Sequence, residues 1–336
     1  MNPLRIALFG LGRAGKFHLQ SLRLASDLKL VYAVDVDERL ARKVAAQHDC
    51  QWSTDRSAVL KDASIDAVIV ATPTHTHYDY IIESLQAGKA VFTEKPLGIG
   101  MKEIDDCYQK AAEAELPLFL GFNRRFDPSF ADLARRVREG EIGQIQILKT
   151  TSRDSPLPTI DYIKTSHGIF HDCIVHDLDL VRFISQQDPI EVFSYGSSFI
   201  PEIGAVGDID TVLVSLKFPS GLLSSIDISR HAVYGYDQRL EAFGDRGMVQ
   251  AENRSPLSTR VSGIEAVSSP PIEFSFPTRY REAYLRELEV FRDCLLENKP
   301  LPVTYEDARK NYILAVAAEK SFKIGKPVSI DYEVSV

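Results

Sequence analysis

"LRIALFGLGRAG", Leu4 to Gly15, is the stretch whose reading decides the fold. A strand-like apolar run leads into GxGxxG at Gly10, Gly12 and Gly15, and helical periodicity begins at once in "AGKFHLQSLRLA". Each glycine has a physical task. Gly10 permits a tight turn, Gly12 lets the backbone approach a pyrophosphate, and Gly15 lets the helix pack close to the strand. Arg13 and Ala14 complete a loop at a helix N-terminus, where negative charge is favoured. The next strand-like run, "LKLVYAVD", ends at Asp35, about 20 residues beyond Gly15, where a carboxylate accepts hydrogen bonds from both hydroxyls of an adenosine ribose. That carboxylate repels a 2′-phosphate, so the expected cofactor is NAD, with Arg39 nearby as the one feature that favours NADP.

Working outward, "DAVIVATP", "KAVFTEKP" and "LPLFLGFNRRF" read as further strands, separated by stretches of helical period such as "YDYIIESLQAG" and "MKEIDDCYQKAAEAE". Strands alternating with helices predict an α/β domain with a parallel sheet covered on both faces, over residues 1–122. Residues 123–336 read differently. The helix "FADLARRVREG" precedes strand-like "QIQILKTTS", a helix from His171, and then "EVFSYGSSF" and a long β series with hairpin turns at "FPSG" and "FGDRG". This predicts an α+β domain on a large, mostly antiparallel sheet, closed by two helices, with a Ser- and Pro-rich surface loop over 253–277.

The bulk numbers fit that division. A chain of 336 residues holds about two domains and buries a substantial core. Its 4 cysteines lie far apart without CxxC or CxxH spacing, so they read as small buried residues in a reducing compartment. A net charge of −8 argues against nucleic acid as partner, which leaves a small molecule. No apolar run reaches the roughly 20 residues that span a bilayer, and the N-terminus lacks the apolar core of a signal peptide, so the expected location is cytoplasmic, away from the membrane.

Two polar clusters point to chemistry. "TEKP", Thr93 to Pro96, stands at the carboxyl end of a predicted parallel strand, where doubly wound sheets bind ligands, and Pro96 restricts Lys95 at a departure from the sheet. In "HDCIVHDLDLVRFI", His171 to Ile184, a helical period places Asp172, His176 and Asp179 on one face, with Phe170, Ile174, Leu178, Val181 and Ile184 opposite. A histidine one turn after an aspartate suits proton transfer, because imidazole titrates near neutrality and the carboxylate orients it. His171 lies well round the helix from His176, so the pair is not expected to bind a metal. Asp177 falls at the edge of the apolar stripe and reads as a cap or an ion pair beneath the site. "THTH", Thr74 to His77, follows a strand and borders the cofactor crevice or caps a helix.

These residues resemble the glucose-fructose oxidoreductase/inositol dehydrogenase (Gfo/Idh/MocA) family along the whole chain. The resemblance rests on "FGLGRAG", "ATPTHTHYDY", "TEKPLG", "GFNRRFDP", "HDCIVHDLDLVRFI", "YGYDQRLEAFGDRG" and "REAYLRELEVF", in that order. It implies an N-terminal Rossmann domain, a C-terminal domain with an open sheet, and a homotetramer or homodimer packed through those sheets. It implies catalytic roles for Lys95, Asp172 and His176. Thr72, Pro73, His75, His77 and Glu94, with Lys95, fall along the cofactor, while Arg125, Asp154, Tyr236 and Tyr284 fall where inositol enzymes contact substrate hydroxyls. The activity implied is NAD-dependent oxidation of myo-inositol to 2-keto-myo-inositol (scyllo-inosose). Alternatives of the same fold are a dehydrogenase of scyllo-inositol, a sugar or a sugar derivative, and a non-catalytic NAD(P)-binding regulator. "SRDSP", Ser152 to Pro156, departs from the His-Arg-Asn of the inositol pattern, so Ser152 and Asp154 alter the polar contacts to the ring.

Overall fold

In the computed structural model, which describes residues 3–333, the β–α alternation of the N-terminal third becomes a parallel sheet. Its strands are β1 (Leu4–Phe9), β2 (Leu28–Val34), β3 (Gln51–Ser53), β4 (Ala67–Val70), β5 (Ala90–Glu94) and β6 (Leu118–Gly121), in spatial order β3-β2-β1-β4-β5-β6. All neighbours are parallel. The order in which strands are added reverses beside β1, between β1 and β4, and creates the switch point at which doubly wound sheets bind nucleotides, at the strands' carboxyl ends. Helices α1 (Arg13–Leu24), α2 (Glu38–His48), α3 (Arg56–Leu60), α4 (His77–Gln86) and α5 (Met101–Glu113) provide the crossovers. The central strands are apolar on both faces: Ile6, Leu8, Val68, Ile69, Val91 and Phe92 have no exposed surface. Strand β3 and helix α3, both short, have too little periodicity to be read from the sequence.

The chain divides into two compact units: Met1–Phe126 with Arg281–Arg309, and Asp127–Tyr280 with Lys310–Val336. The expected boundary gave everything after residue 122 to the second domain. The difference lies in the helix Arg281–Glu297, whose Leu288 and Phe291 enter one core with Leu19 and Leu22 of α1 and Phe92 and Phe119 of the parallel sheet. Phe291 stacks edge-on against both Phe92 and Phe119, with centroids 5.7 Å apart in each case. Amphipathic period shows that a helix has an apolar face, and says nothing about which sheet it will cover.

The second unit is built on β7 (Ile145–Arg153), β8 (Glu191–Ser197), β9 (Thr211–Lys217), β10 (Leu223–Ser229), β11 (Asp237–Gly244) and β12 (Gly247–Ala251), with β13 (Val261–Ser262) and β14 (Val267–Ser268) forming a separate small hairpin in the 253–277 loop. With β15 (Val328–Ser329) the large sheet has the order β12-β11-β7-β10-β9-β8-β15. It is antiparallel except where β10 runs parallel to β7. One face carries Leu148, Val212, Val214, Leu216, Ile226, Ile228, Leu240 and Ala242, all buried. Helices α6 (Pro128–Arg138), α7 (Ile160–Thr165), α8 (Ile169–Asp172) and α9 (Ile174–Ser185) belong to this unit, and α9 packs on β7 and β10. On the other face the register aligns Leu223 with Ile147, Ile147 with Phe243 and Phe243 with Met248, a row of exposed apolar side chains across four strands.

Candidate active site

In the first unit the glycine loop has the geometry its sequence demands. Gly10 has φ +87°, and an added Cβ would meet the Ala71 carbonyl oxygen at 2.5 Å. A Cβ at Gly15 would collide with the Gly10 carbonyl oxygen, so the start of α1 lies directly against the turn. Gly12 is different: nothing lies within 4 Å of an added Cβ. Helix α1 follows with no side-chain cap and no acidic residue in its first turn. Its unsatisfied N–H groups and positive dipole end are therefore open to an anion, which fits a pyrophosphate. Asp35, half-buried past the end of β2, accepts the Leu11 N–H on Oδ2 at 2.8 Å and the Asp37 N–H on Oδ1 at 2.9 Å. It clasps the glycine loop and still has lone pairs for ribose hydroxyls.

Beyond β4 and β5 the expected cofactor residues divide. Thr72 accepts a hydrogen bond from the Thr76 hydroxyl at 2.8 Å, and Pro73 and His75 are exposed. His77 is 1% exposed, with Nδ1 2.7 Å from the Pro96 carbonyl and Nε2 2.8 Å from the Thr72 carbonyl. Its ring thus sits between the loop after β4 and the loop after β5, and its one N–H in the neutral form donates to one of the two carbonyls. Burial pulls its pKa down. The Lys95–Pro96 peptide is cis, and Lys95 is half-buried. Glu94 turns its carboxylate to His18, whose Nε2 lies 2.7 Å from Oε1. Arg125 donates to the Pro302 carbonyl at 2.9 Å and pairs with Asp307 at 3.2 Å, and Tyr284 packs its ring 5.3 Å from that of Phe17. Both of these expected substrate contacts are thus tied into the first unit.

In the second unit the predicted helix is two segments, α8 and α9, meeting at Cys173. Asp172 is 9% exposed and doubly held: the Tyr162 hydroxyl donates to Oδ1 at 2.8 Å, and Arg230 Nη1 donates to Oδ2 at 2.9 Å. Arg230 has no exposed surface, and its Nη2 reaches Asp208 at 3.1 Å and the Ser166 hydroxyl at 3.3 Å. Cys173 Sγ lies 3.8 Å from Asp172 Oδ2 and 3.9 Å from Asp154 Oδ2, so the two carboxylates flank one thiol. The Asp154 backbone is fixed beyond the end of β7, its N–H donating to Ser229 at 2.8 Å and its carbonyl accepting from Ala232 at 2.7 Å. His176, half-buried, follows Asp172 by one turn, and its N–H donates to the Cys173 carbonyl at 3.3 Å. Asp177 and Asp179 are each 1% exposed. His171 points to Glu319, at 3.7 Å. Tyr236 is buried against Tyr280 and Phe276, and Ser152 gives its hydroxyl to Gln238 at 3.0 Å.

Arg230, Tyr162 and Asp208 escaped the sequence reading. A signal existed for Arg230: in "LSSIDISR" the alternation puts Ser224, Ile226 and Ile228 on the buried face, so Arg230 is next in line to point inward, where a cation needs acidic partners. Tyr162 sits in α7, too short to show a period, and Asp208 in an irregular stretch.

A pyrophosphate-ready loop with an acidic residue ending β2, joined in sequence to an open sheet carrying an Asp/His helix, defines an NAD-dependent oxidoreductase. More narrowly, the chain belongs to the GFO/IDH/MocA family: the oxidoreductase family model with NAD-binding Rossmann fold matches residues 4–122, and the GFO/IDH/MocA C-terminal domain matches 130–250. It is 38% identical to the myo-inositol 2-dehydrogenase of Thermotoga maritima over 98% of this chain and 99% of that protein. It is 36% identical to the scyllo-inositol 2-dehydrogenase (NAD(+)) of Bacillus subtilis, covering 98% and 97%. Among solved structures it is similar to scyllo-inositol dehydrogenase from Lactobacillus casei with bound NAD(H) and scyllo-inositol, with a TM-score of 0.90 at 27% identity over 98% of this chain and 99% of that one. The expected fold class, enzyme class and cofactor stand on these findings together.

Proposed function

We propose that this protein oxidises a secondary hydroxyl of a cyclic polyol, and that its substrate is myo-inositol, giving 2-keto-myo-inositol. The observation that carries this reading is the pair of carboxylates, Asp172 and Asp154, flanking Cys173 one turn before His176. Fixed carboxylates are hydrogen-bond acceptors, and they suit a neutral substrate rich in hydroxyls. The inositol dehydrogenases named among the relatives support the same class.

NAD, when bound, supplies the nicotinamide that takes the hydride. The rest falls to side chains. His176 accepts the hydroxyl proton as the carbon–hydrogen bond breaks and the carbonyl forms. Lys95 donates to the same oxygen, which stabilises alkoxide character during oxidation and polarises the ketone in reverse. Asp172, with Tyr162 and Arg230 each supplying a donor, keeps a fixed attitude for orienting His176 or a neighbouring hydroxyl. Asp154 reads another hydroxyl, and an isomer that leaves it unpaired loses affinity. Tyr236 is placed in the substrate pocket by the same reading. A second copy of the chain is the proposed partner.

Scyllo-inositol is the second reading. It is favoured by Ser152, which stands where the inositol pattern has a histidine and donates its hydroxyl to Gln238. The test is NADH absorbance after mixing protein and NAD with myo-inositol, scyllo-inositol, glucose and xylose separately. Reduction fastest with myo-inositol upholds the assignment, reduction fastest with another polyol moves it, and silence with all four removes it.

A further inference from the structure

Three titratable side chains meet inside the first unit, and two of them, His18 and Glu287, have no part in the chemistry described so far. His18 of α1, Glu94 at the end of β5 and Glu287 of the helix Arg281–Glu297 each bring a nitrogen or carboxylate oxygen to within 4.8 Å of the others. His18 and Glu287 have no exposed surface. Beyond the 2.7 Å contact of His18 Nε2 with Glu94 Oε1, His18 Nδ1 and both Glu287 carboxyl oxygens are buried with no hydrogen-bond partner in the structure. The surroundings are aromatic: the His18 ring lies 5.2 Å from that of Phe92 and 6.0 Å from that of Tyr284. The groups facing Glu287 are therefore the imidazole from α1, the Glu94 carboxylate from β5 and, one turn back on its own helix, Tyr284.

Two carboxylates this close, one of them with no exposed surface, resist ionising together, because the second charge adds repulsion to its lost hydration. Glu287 is the one that gives way: burial, reinforced by the charge of Glu94, raises its pKa well above the usual carboxylate range. Hydrogen-bond arithmetic agrees. With Nε2–H donated to Glu94, a neutral imidazole presents a lone pair at Nδ1, and a protonated Glu287 has an O–H to fill it. Two of the three orphaned atoms are then paired in one chain, Glu287 to His18 to Glu94, and Glu94 is the residue that leads into Lys95.

We propose that Glu287 stands as a neutral carboxylic acid and, through His18, fixes the Glu94 carboxylate so that the backbone entering Lys95 is held in one position. His18 and Glu287 are positioning residues, acting through Glu94. The proposal rests on the reading of Lys95 as the catalytic cation, while the state of the triad itself does not depend on it. Ionising Glu287 removes the donor, sets two negative charges side by side and releases Lys95, so activity should fall on the alkaline side for a reason built into the first unit.

The test begins with infrared spectra of the full-length protein carrying 13C-carboxyl glutamate. A protonated-carboxyl band at neutral pH, absent in Glu287→Gln, is the expected result, and absence of that band in the wild-type protein overturns the neutral acid. Metal analysis of the same samples guards the alternative: one divalent metal per chain, lost in Glu287→Gln, would make the triad a metal site and overturn the proposal. For positioning, the lysines are reductively methylated with 13C and Lys95 is assigned with Lys95→Arg. Its resonance should move as the Glu287 band disappears with rising pH and stay flat in Glu287→Gln, and identical titrations in both proteins sink the link to Lys95. The alkaline limb of kcat should move up by about one pH unit or more in Glu287→Gln. These spectra are read without turnover, so a protein that oxidises none of the four polyols condemns the substrate reading and leaves the triad to be judged by its own bands.

Discussion

Arg230, which has no exposed surface, donates to Asp172 Oδ2 at 2.9 Å and thereby ties the end of β10 to the residue one turn before His176. The same guanidinium reaches Asp208 at 3.1 Å, so one buried cation serves two carboxylates. Arg230→Met should destabilise the second unit by about 3–5 kcal/mol, because it leaves both acids desolvated and uncompensated. Denaturant unfolding with tryptophan-independent detection, such as circular dichroism, measures it. Arg230→Lys should recover only part, since a single ammonium cannot reproduce the forked contacts. A loss below about 1 kcal/mol would mean that Asp172 needs no such partner.

Lys95→Ala should lower kcat by about 100-fold or more while the dissociation constant for NAD changes little. Kinetics and fluorescence titration with NADH check the two halves. His176→Ala should be similarly impaired and should lose the acid limb of the pH–rate profile. An unchanged limb would assign the proton to another base.

Asp35→Ala should weaken NAD binding by about 10- to 100-fold, the worth of charge-assisted hydrogen bonds to ribose, and should narrow the preference for NAD over NADP. The carboxylate also accepts the Leu11 N–H at 2.8 Å, so part of the loss is disorder of the glycine loop. Asp35→Asn separates the parts: it keeps an acceptor for Leu11 and removes the charge that repels a 2′-phosphate.

Glu287→Gln should make the protein more stable, by an amount that grows with pH. The pKa of Glu287 is raised in the folded state, so folding favours its protonated form. The carboxyl therefore contributes most below its unfolded pKa, and that contribution drains away as pH rises toward the folded value. A glutamine cannot ionise, so the melting temperatures of the two proteins should agree in mild acid and diverge above it. Parallel curves across the pH range would show that Glu287 is paired with a cation.

The exposed row Leu223, Ile147, Phe243 and Met248 is aligned by strand register, and it is the surface we propose for contact with a second copy of the chain. Ile147→Lys with Phe243→Lys should reduce the particle mass in light scattering without altering the circular dichroism of the fold. An unchanged mass would place any contact between copies elsewhere.

How far this could be read from the sequence depended on whether a residue's neighbours were local. Gly10, Gly12 and Gly15 answer to their own turn, and the parallel strands announce themselves as short apolar runs, so the first sheet was legible. Asp172 and His176 were legible because one helical turn joins them. The surroundings of Arg125 were not: it reads as a group contacting substrate hydroxyls, and its partners Pro302 and Asp307 lie far along the chain. The place of His77 between the Thr72 and Pro96 carbonyls was not legible for the same reason, since it exists only once β4 and β5 pair. The parallel pairing of β7 with β10 likewise requires knowing where a long excursion returns.

That the helix Arg281–Glu297 completes the first unit has a consequence for biosynthesis. A ribosome finishes the six parallel strands early, yet Leu288 and Phe291, which seal their core, are translated only after six of the seven strands of the second sheet. Until then Phe92 and Phe119 lack their lid, and the nascent chain carries an open apolar seam through more than half of its synthesis. The order of manufacture is thus inverted relative to the order of assembly: the unit begun first is the one whose core closes late, and a nascent chain stalled within the second unit is expected to be a client for chaperones.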